Sequence, residues 1–358
     1  MAPDESDQFL VLDEMVASHL SGPDIYHASK FWEQLNRLNI DWLKSDGLNN
    51  FKRTVNNNYF NWMVTLRAAT FRKVARSFLR RAVHSPGKLW EAAGINIKDM
   101  VRRTMVSENT QTTLLERKIY ALYLLFLYDF VERHDRLGLL DKLEEPEIGS
   151  PLCIDYRGKR VSQDIANSYL EYLYIRTSLT EEKFSSIRTI GEIGGGYGRL
   201  SYVFHLLHKN DGLKLVLIDL PPALFVAQWY LTKVFPDAKV MKWRNFTDFS
   251  EIQKEFKESS ICFLLPHQLE LIPQGSLDLL INISSLQEMT RAQINRYYEL
   301  IDEKARFFYT KQWVLWDNPE DKMTVPAVIY PTRPAWELVS ARQNPVHVDF
   351  FEALFQLK

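Results

Sequence analysis

The sequence predicts an α/β protein built on a mostly parallel sheet with an antiparallel last strand, preceded by a helical N-terminal region. Three observations carry this prediction. After residue 185, short apolar runs alternate with helix-like stretches, the rhythm of β-α units that cover both faces of a sheet. A glycine-rich turn, Glu192-Ile-Gly-Gly-Gly-Tyr-Gly198, separates the first of those runs from the first of those helices. Before residue 140 the apolar positions recur at helical spacing instead.

Each element follows from its residues. Residues 1–22 are polar and mixed and predict a loose arm with one short helix. Phe31, Trp32, Leu35, Leu38, Ile40 and Trp42 predict a helix over 28–45. Leu66, Val74, Phe78 and Leu79 predict one side of a helix over 58–83, ended by Ser85-Pro-Gly87. The stretch 114–140 is the strongest helix of this half, stopped near Gly138, and 145–151 is a turn-rich connector. Ser162 or Asp164 then caps a helix through Tyr172. Strands are predicted over 188–193, 213–219, 261–265, 277–283 and 306–310, with a final antiparallel pair from residues near 336–340 and 350–356. Helices follow at 199–208, after Pro221-Pro222, and at 292–303.

Composition narrows the function. Of 358 residues, 46% are hydrophobic and 25% charged, as in an ordinary globular protein, with a formal net charge of −1. That balance argues against a dedicated nucleic-acid binder. Two cysteines, Cys153 and Cys262, make neither a disulfide framework nor a zinc set. The first residues lack the pattern of a signal peptide, and the longest apolar run, 119–128, is far short of the ~20 residues that span a bilayer. A cytoplasmic location is expected, with peripheral membrane contact and homo-oligomerisation left open. The charge is uneven: residues 51–104 hold 12 Lys and Arg against Glu91 and Asp99.

The glycine turn is the most informative motif. Gly194 and Gly196 let a backbone turn tightly and approach a ligand, and Glu192 can accept hydrogen bonds from a cationic amino group. A dinucleotide fingerprint would need glycine at position 199, where the chain has Arg199. The spacing therefore favours S-adenosylmethionine over NAD. In such sheets ligands bind beyond the carboxyl ends of the strands, so polar residues just after strands are candidates. Asp219 ends the second strand, placed to bind ribose hydroxyls or, alternatively, to cap the next helix. His267 and Gln268 follow the third at the level of an adenine. Asn282, Ser284, Ser285, Gln287 and Glu288 form a polar run after the fourth, and Lys311 and Gln312 end the fifth.

The segments 192–198, Asp219-Leu-Pro-Pro222 and Asp278-Leu-Leu-Ile-Asn-Ile-Ser-Ser-Leu-Gln-Glu-Met289 resemble the class I S-adenosylmethionine-dependent methyltransferases, with their Rossmann-like sheet. More narrowly they resemble a sugar O-methyltransferase family of bacterial surface-polysaccharide gene clusters, as do Glu145-Pro-Glu-Ile-Gly-Ser-Pro151 and Val161-Ser-Gln-Asp-Ile-Ala-Asn-Ser168. The resemblance covers roughly residues 140–315 and implies that Glu192, Gly194, Gly196, Asp219, His267 and Gln268 surround the cofactor; Asn282 and Ser284 are candidate cofactor contacts by their place in the polar run after the fourth strand. It implies methyl transfer to a sugar hydroxyl; the expected substrate is a carbohydrate, or a nucleotide-linked or lipid-linked sugar if the basic helix captures an anionic acceptor. Alternatives are another small molecule, RNA, or a non-catalytic S-adenosylmethionine-binding scaffold.

A neutral hydroxyl is a poor nucleophile, so a base within hydrogen-bond reach is needed. Glu288 is the first candidate, His267 the second and Asp164 the third. Gln287, Lys311, Gln312 and Arg76 are the candidate acceptor contacts. No carboxylates cluster after the strands to hold a divalent metal. Arg72, Arg76 and Arg80 share one helical face, read either as a solvated surface or as a means of capturing an anionic acceptor or a membrane surface. The expected organisation is a helical region over 1–140, a connector with a helix packing on the cofactor site over 141–185, and a methyltransferase domain over 186–358.

Overall fold

Eight strands build the central sheet: β1 (Thr189–Ile193), β2 (Lys214–Ile218), β3 (Val240–Met241), β4 (Ile261–Leu264), β5 (Leu277–Ile283), β6 (Ala305–Trp313), β7 (Glu337–Gln343) and β8 (Phe350–Gln356). Their order across the sheet is β7-β8-β6-β5-β1-β2-β4-β3. Strands β1 to β6 run parallel, and β8 runs antiparallel between β6 and β7. This is the mostly parallel sheet with an antiparallel last strand that the sequence predicts. The computed structural model describes residues 5–53, 55, 68–95, 103–105, 108–110, 114–318 and 321–357.

The chain divides into two compact units, Met1–Lys44 with Ile175–Asn344 and Asp349–Lys358, and Ser45–Tyr174 with Pro345–Val348. In the first, the sheet unit, β2 and β4 are buried along their length apart from Lys214, as strands covered on both faces must be. Pro221 and Pro222 start the helix Pro221–Val234, where missing N–H groups cost nothing, and Thr290 with Gln293 forms a capping box on Arg291–Lys304.

Three expectations need correction in this unit. The N-terminal segment is a helix of 17 residues, Glu5–Ser21, that buries Leu12 and Met15 and sets Phe9 against Phe225, ring centroids 5.9 Å apart. Acids at 13 and 14 interrupt its apolar face in sequence, which hides the helical period. Strand β6 runs three residues beyond Thr310, because Lys311, Gln312 and Trp313 pair with Glu352, Phe351 and Phe350 of β8. A hairpin, Leu315–Asn318 with Met323–Pro326, follows it without having been expected.

The second, helical unit contains Ala69–Ala82, Gly87–Gly94, Leu114–His134 and the start of Gln163–Ser178, capped by Ser162, whose Oγ accepts from the Ile165 N–H at 3.1 Å. A hairpin, Cys153–Tyr156 with Lys159–Ser162, stands where only a connector was expected. The helix Leu114–His134 ends before Gly138, since the Asp135 carboxylate gathers the backbone N–H groups of Leu137, Leu139 and Leu140 and turns the chain there. Helix Ala69–Ala82 buries Phe71, Val74 and Phe78 but leaves Leu79 53% exposed, so Leu79 is not on its core face. Leu66 and the first part of the expected helix lie outside the described residues.

Buried charge in this unit is paired. Asp129, fully buried, receives Arg81 at 2.9 Å, Lys88 at 2.6 Å and Arg133 at 3.3 Å. Buried Glu145 takes Lys52 on one oxygen and the Ser162 hydroxyl on the other.

Candidate functional site

The turn between β1 and the helix Arg199–His208 is held from beneath by its own sequence. Gly194 has φ +71° and donates its N–H to Ile218 O at 2.8 Å, which ties the loop to β2. A Cβ there would lie 2.5 Å from Cβ of Ser285, so no other residue fits. Gly196, at φ +57°, faces open space where its Cβ would be, and its N–H bonds Asp219 Oδ2 at 2.7 Å. Glu192 is buried under the loop, receives Ser201 Oγ at 2.9 Å, and has its carboxylate 3.3 Å from a Cβ placed on Gly195.

Asp219 stands at the end of β2, adjacent to that loop. Its Oδ1 accepts from the Leu220 N–H at 2.7 Å, and its Oδ2 from Gly196. Burial pushes its pKa up to about 7 against these two donors, which act to lower it. Each carboxylate oxygen keeps a further lone pair, so the group can still accept from a ligand hydroxyl.

Glu288 comes from the turn after β5, which lies beside β1. Its Oε2 accepts from the Trp32 indole N–H at 2.9 Å, and its carbonyl from Ser29 Oγ at 2.7 Å. Burial raises its pKa to about 8; bonds from Trp32 and Gln287 oppose this, and the negative charge of Asp219 adds to it. The two acids thus sense each other, and no cation pairs with either among the described residues. Tyr330 carries a buried hydroxyl without a partner among the described residues; burial raises its pKa, and the Glu288 charge adds to this. Trp32, Ser29 and Tyr330 were not foreseen. Trp32 read as one apolar position on a helix, and only its indole nitrogen hinted at a polar duty.

The polar run after β5 is a network. Asn282 donates to Ile193 O at 2.9 Å and to Ser285 Oγ at 2.6 Å, and it accepts from Gln312 Nε2 at 2.5 Å. Ser284, at φ +55°, accepts from Gln287 Nε2 at 3.1 Å, and Gln287 accepts the Trp313 N–H at 2.8 Å. Asn282, Gln287, Lys311 and Gln312 are all buried. Gln312 Oε1 has no hydrogen-bond partner there, and Lys311 lies over the Phe350 ring.

Gln268 uses its amide on backbone groups, accepting from the Leu265 N–H and donating to Arg244 O. His267 packs against Gly22, and burial lowers its pKa. It belongs to a histidine cluster with His19, whose two ring nitrogens are buried without partners and whose pKa burial pushes down to about 4, and with His27, 5.5 Å from His19. Asp164 and Arg76 lie in the helical unit, Asp164 buried in it and Arg76 exposed. Among the described residues no group of three His, Cys, Asp or Glu side chains is arranged to hold a metal ion. No described helix is long and apolar enough to cross a membrane.

The sequence matches no protein-family model and no curated protein. Solved structures resemble it at low identity. The PH0226 protein of Pyrococcus horikoshii OT3 has 12% identity over 55% of this chain and 92% of its own, with a TM-score of 0.37. Geranyl diphosphate methyltransferase in complex with GPP and sinefungin has 8% identity over 54% of this chain and 79% of its own, TM-score 0.36. Haemonchus contortus phosphoethanolamine N-methyltransferase 1, with phosphoethanolamine and S-adenosylhomocysteine, has 10% identity over 53% of this chain and 42% of its own, TM-score 0.33. At these scores the fold assignment rests on the strand order itself.

Proposed function

We propose that this chain is an S-adenosylmethionine-dependent O-methyltransferase that acts on a carbohydrate hydroxyl. One observation carries the reading: Glu288, an acid with no cation partner among the described residues, stands at the strand ends beside the glycine loop and Asp219. The residues fit the cofactor. The backbone at Gly194–Gly196 and the Asp219 carboxylate would hold it, with open space beside Gly196 and acceptor capacity left on Asp219. When bound, the cofactor supplies an electrophilic sulfonium methyl group.

The chain's own part is alignment and proton transfer. Trp32 fixes Glu288 through Oε2 and so presents Oε1 to an acceptor hydroxyl. With a pKa of about 8, Glu288 is a stronger base than an ordinary carboxylate, and it takes the proton as the new O–C bond forms. The buried Asn282–Gln312 and Ser284–Gln287 pairs hold the turn that carries it. The choice of a sugar as acceptor, and a place in surface-polysaccharide assembly, are supported by the sequence resemblance over residues 145–168 and 278–289.

Calorimetry with S-adenosylhomocysteine tests the cofactor: micromolar-range binding is expected, lost in Asp219→Ala, and an inert wild-type protein sinks the reading. Transfer of labelled methyl to nucleotide sugars tests the acceptor. Label found on RNA alone would replace the carbohydrate with a nucleic acid.

A further inference from the structure

The helical unit presents a groove of about 630 Å³ lined by Ala69, Arg72, Lys73, Arg76, Ser77, Arg80, Phe130 and Val348. That volume is in the range of small-molecule sites. Arg72, Lys73, Arg76 and Arg80 are exposed, and no acid pairs with any of them among the described residues. Cations close by in sequence behave differently. Arg81, Lys88 and Arg133 converge on Asp129, and Arg133 also donates to Ser77 Oγ at 2.5 Å. The unit therefore neutralises the cations that face its core and leaves four unneutralised along the groove.

Arg72, Arg76 and Arg80 succeed each other by one helical turn, so their row is about 12 Å long. Guanidinium groups bind phosphate oxygens through paired N–H donors, and a row of three suits linked phosphates better than a single one. The floor is apolar, Phe130 being buried, which suits the uncharged remainder of an ester. We propose that this groove binds a diphosphate ester of a small molecule. Under the carbohydrate reading above, on which this clause alone rests, the ester is that of a sugar nucleotide. A concave site favours a soluble ester over a bilayer, although Leu79 on the same helix and Val83 just after it are exposed.

Calorimetry of the full-length protein with inorganic pyrophosphate tests the site. One-site binding that weakens with added salt is expected. The double variant Arg76→Glu/Arg80→Glu should weaken it at least about tenfold, whereas Lys254→Glu/Lys257→Glu, an equal charge change on exposed residues of the sheet unit, should leave it unchanged. Both variants alter exposed residues, and circular dichroism checks that they fold. The proposal is overturned if pyrophosphate does not bind, if the double variant binds it as well as wild type, or if only phosphatidylglycerol vesicles or RNA depend on Arg76 and Arg80. S-adenosylhomocysteine titrated into the same sample reports separately on the methyltransferase reading.

Discussion

The two compact units treat their inward-facing acids in opposite ways: Asp129 and Glu145 are buried, Asp219 and Glu288 half-buried. In the helical unit Asp129 is surrounded by Arg81, Lys88 and Arg133, and Glu145 by Lys52 and Ser162. In the sheet unit Asp219 and Glu288 have backbone N–H groups and an indole for company, and burial lifts their pKa values to about 7 and about 8. A buried acid with its cation is part of the framework, because the pair costs stability to break. A half-buried acid with no cation partner among the described residues sits at a cost that packing must offset elsewhere, and its lifted pKa lies near neutral pH. The contrast singles out Asp219 and Glu288 as candidates for chemistry without reference to any relative.

The largest expected effect comes from Glu288→Gln. It keeps the shape and the Trp32 bond but cannot take a proton, so turnover should fall by about 10²–10⁴-fold while S-adenosylhomocysteine binds as before. Retained turnover would remove Glu288 from the mechanism and dissolve the contrast. Next is Glu145→Gln, which strands the buried Lys52 charge and should lower unfolding stability by about 3–5 kcal/mol in urea titrations. Replacing both partners, Lys52→Met with Glu145→Leu, should recover most of that loss. If the single and double variants lose equally, the pair is not what holds that part of the unit.

The loop gives a graded pair. Gly194→Ala combines a positive φ with overlap on Ser285 and should cost about 2–3 kcal/mol and abolish cofactor binding. Gly196→Ala meets only the φ penalty and should cost about 1 kcal/mol. Equal losses in thermal unfolding would contradict the packing described.

The smallest effect is a shift on the pH axis. As a base Glu288 works when deprotonated, so activity should rise with pH through about 8. Trp32 lowers that value, so Trp32→Phe should move the rising limb to higher pH. The stability linkage has the opposite slope. Glu288 binds its proton more tightly folded than unfolded, so the stabilisation is full below its ordinary value and is lost as pH rises through about 8. A limb that stays fixed in Trp32→Phe would show that the indole does not tune this acid.

Much of the sheet was legible because its signals are local. Ile261–Leu264 and Leu277–Ile283 are continuous apolar runs, and each glycine of 194–198 declares a turn by its own lack of a side chain. Asp219 and Glu288 could be nominated as candidates because strand ends in such a sheet are predictable places. The charge states of these acids were not legible. They depend on burial and on Trp32, 256 residues distant in sequence from Glu288. Lys311 and Gln312 illustrate the same limit, since as a string they follow an apolar run and suggest a loop. Pairing with β8, more than 35 residues further on, makes them buried sheet residues.

The sequence by itself determined the alternation of strands and helices, the glycine loop, the placement of the two acids and the excess of cations over residues 51–104. Those are properties of neighbouring residues, set by side-chain period and backbone freedom. Tertiary structure decided which cations are neutralised, which acids are left without a counter-charge, and that the N-terminal segment is a docked helix whose neighbouring Trp32 holds Glu288. Electrostatics and burial depend on what surrounds a group in space, and no local pattern encodes it.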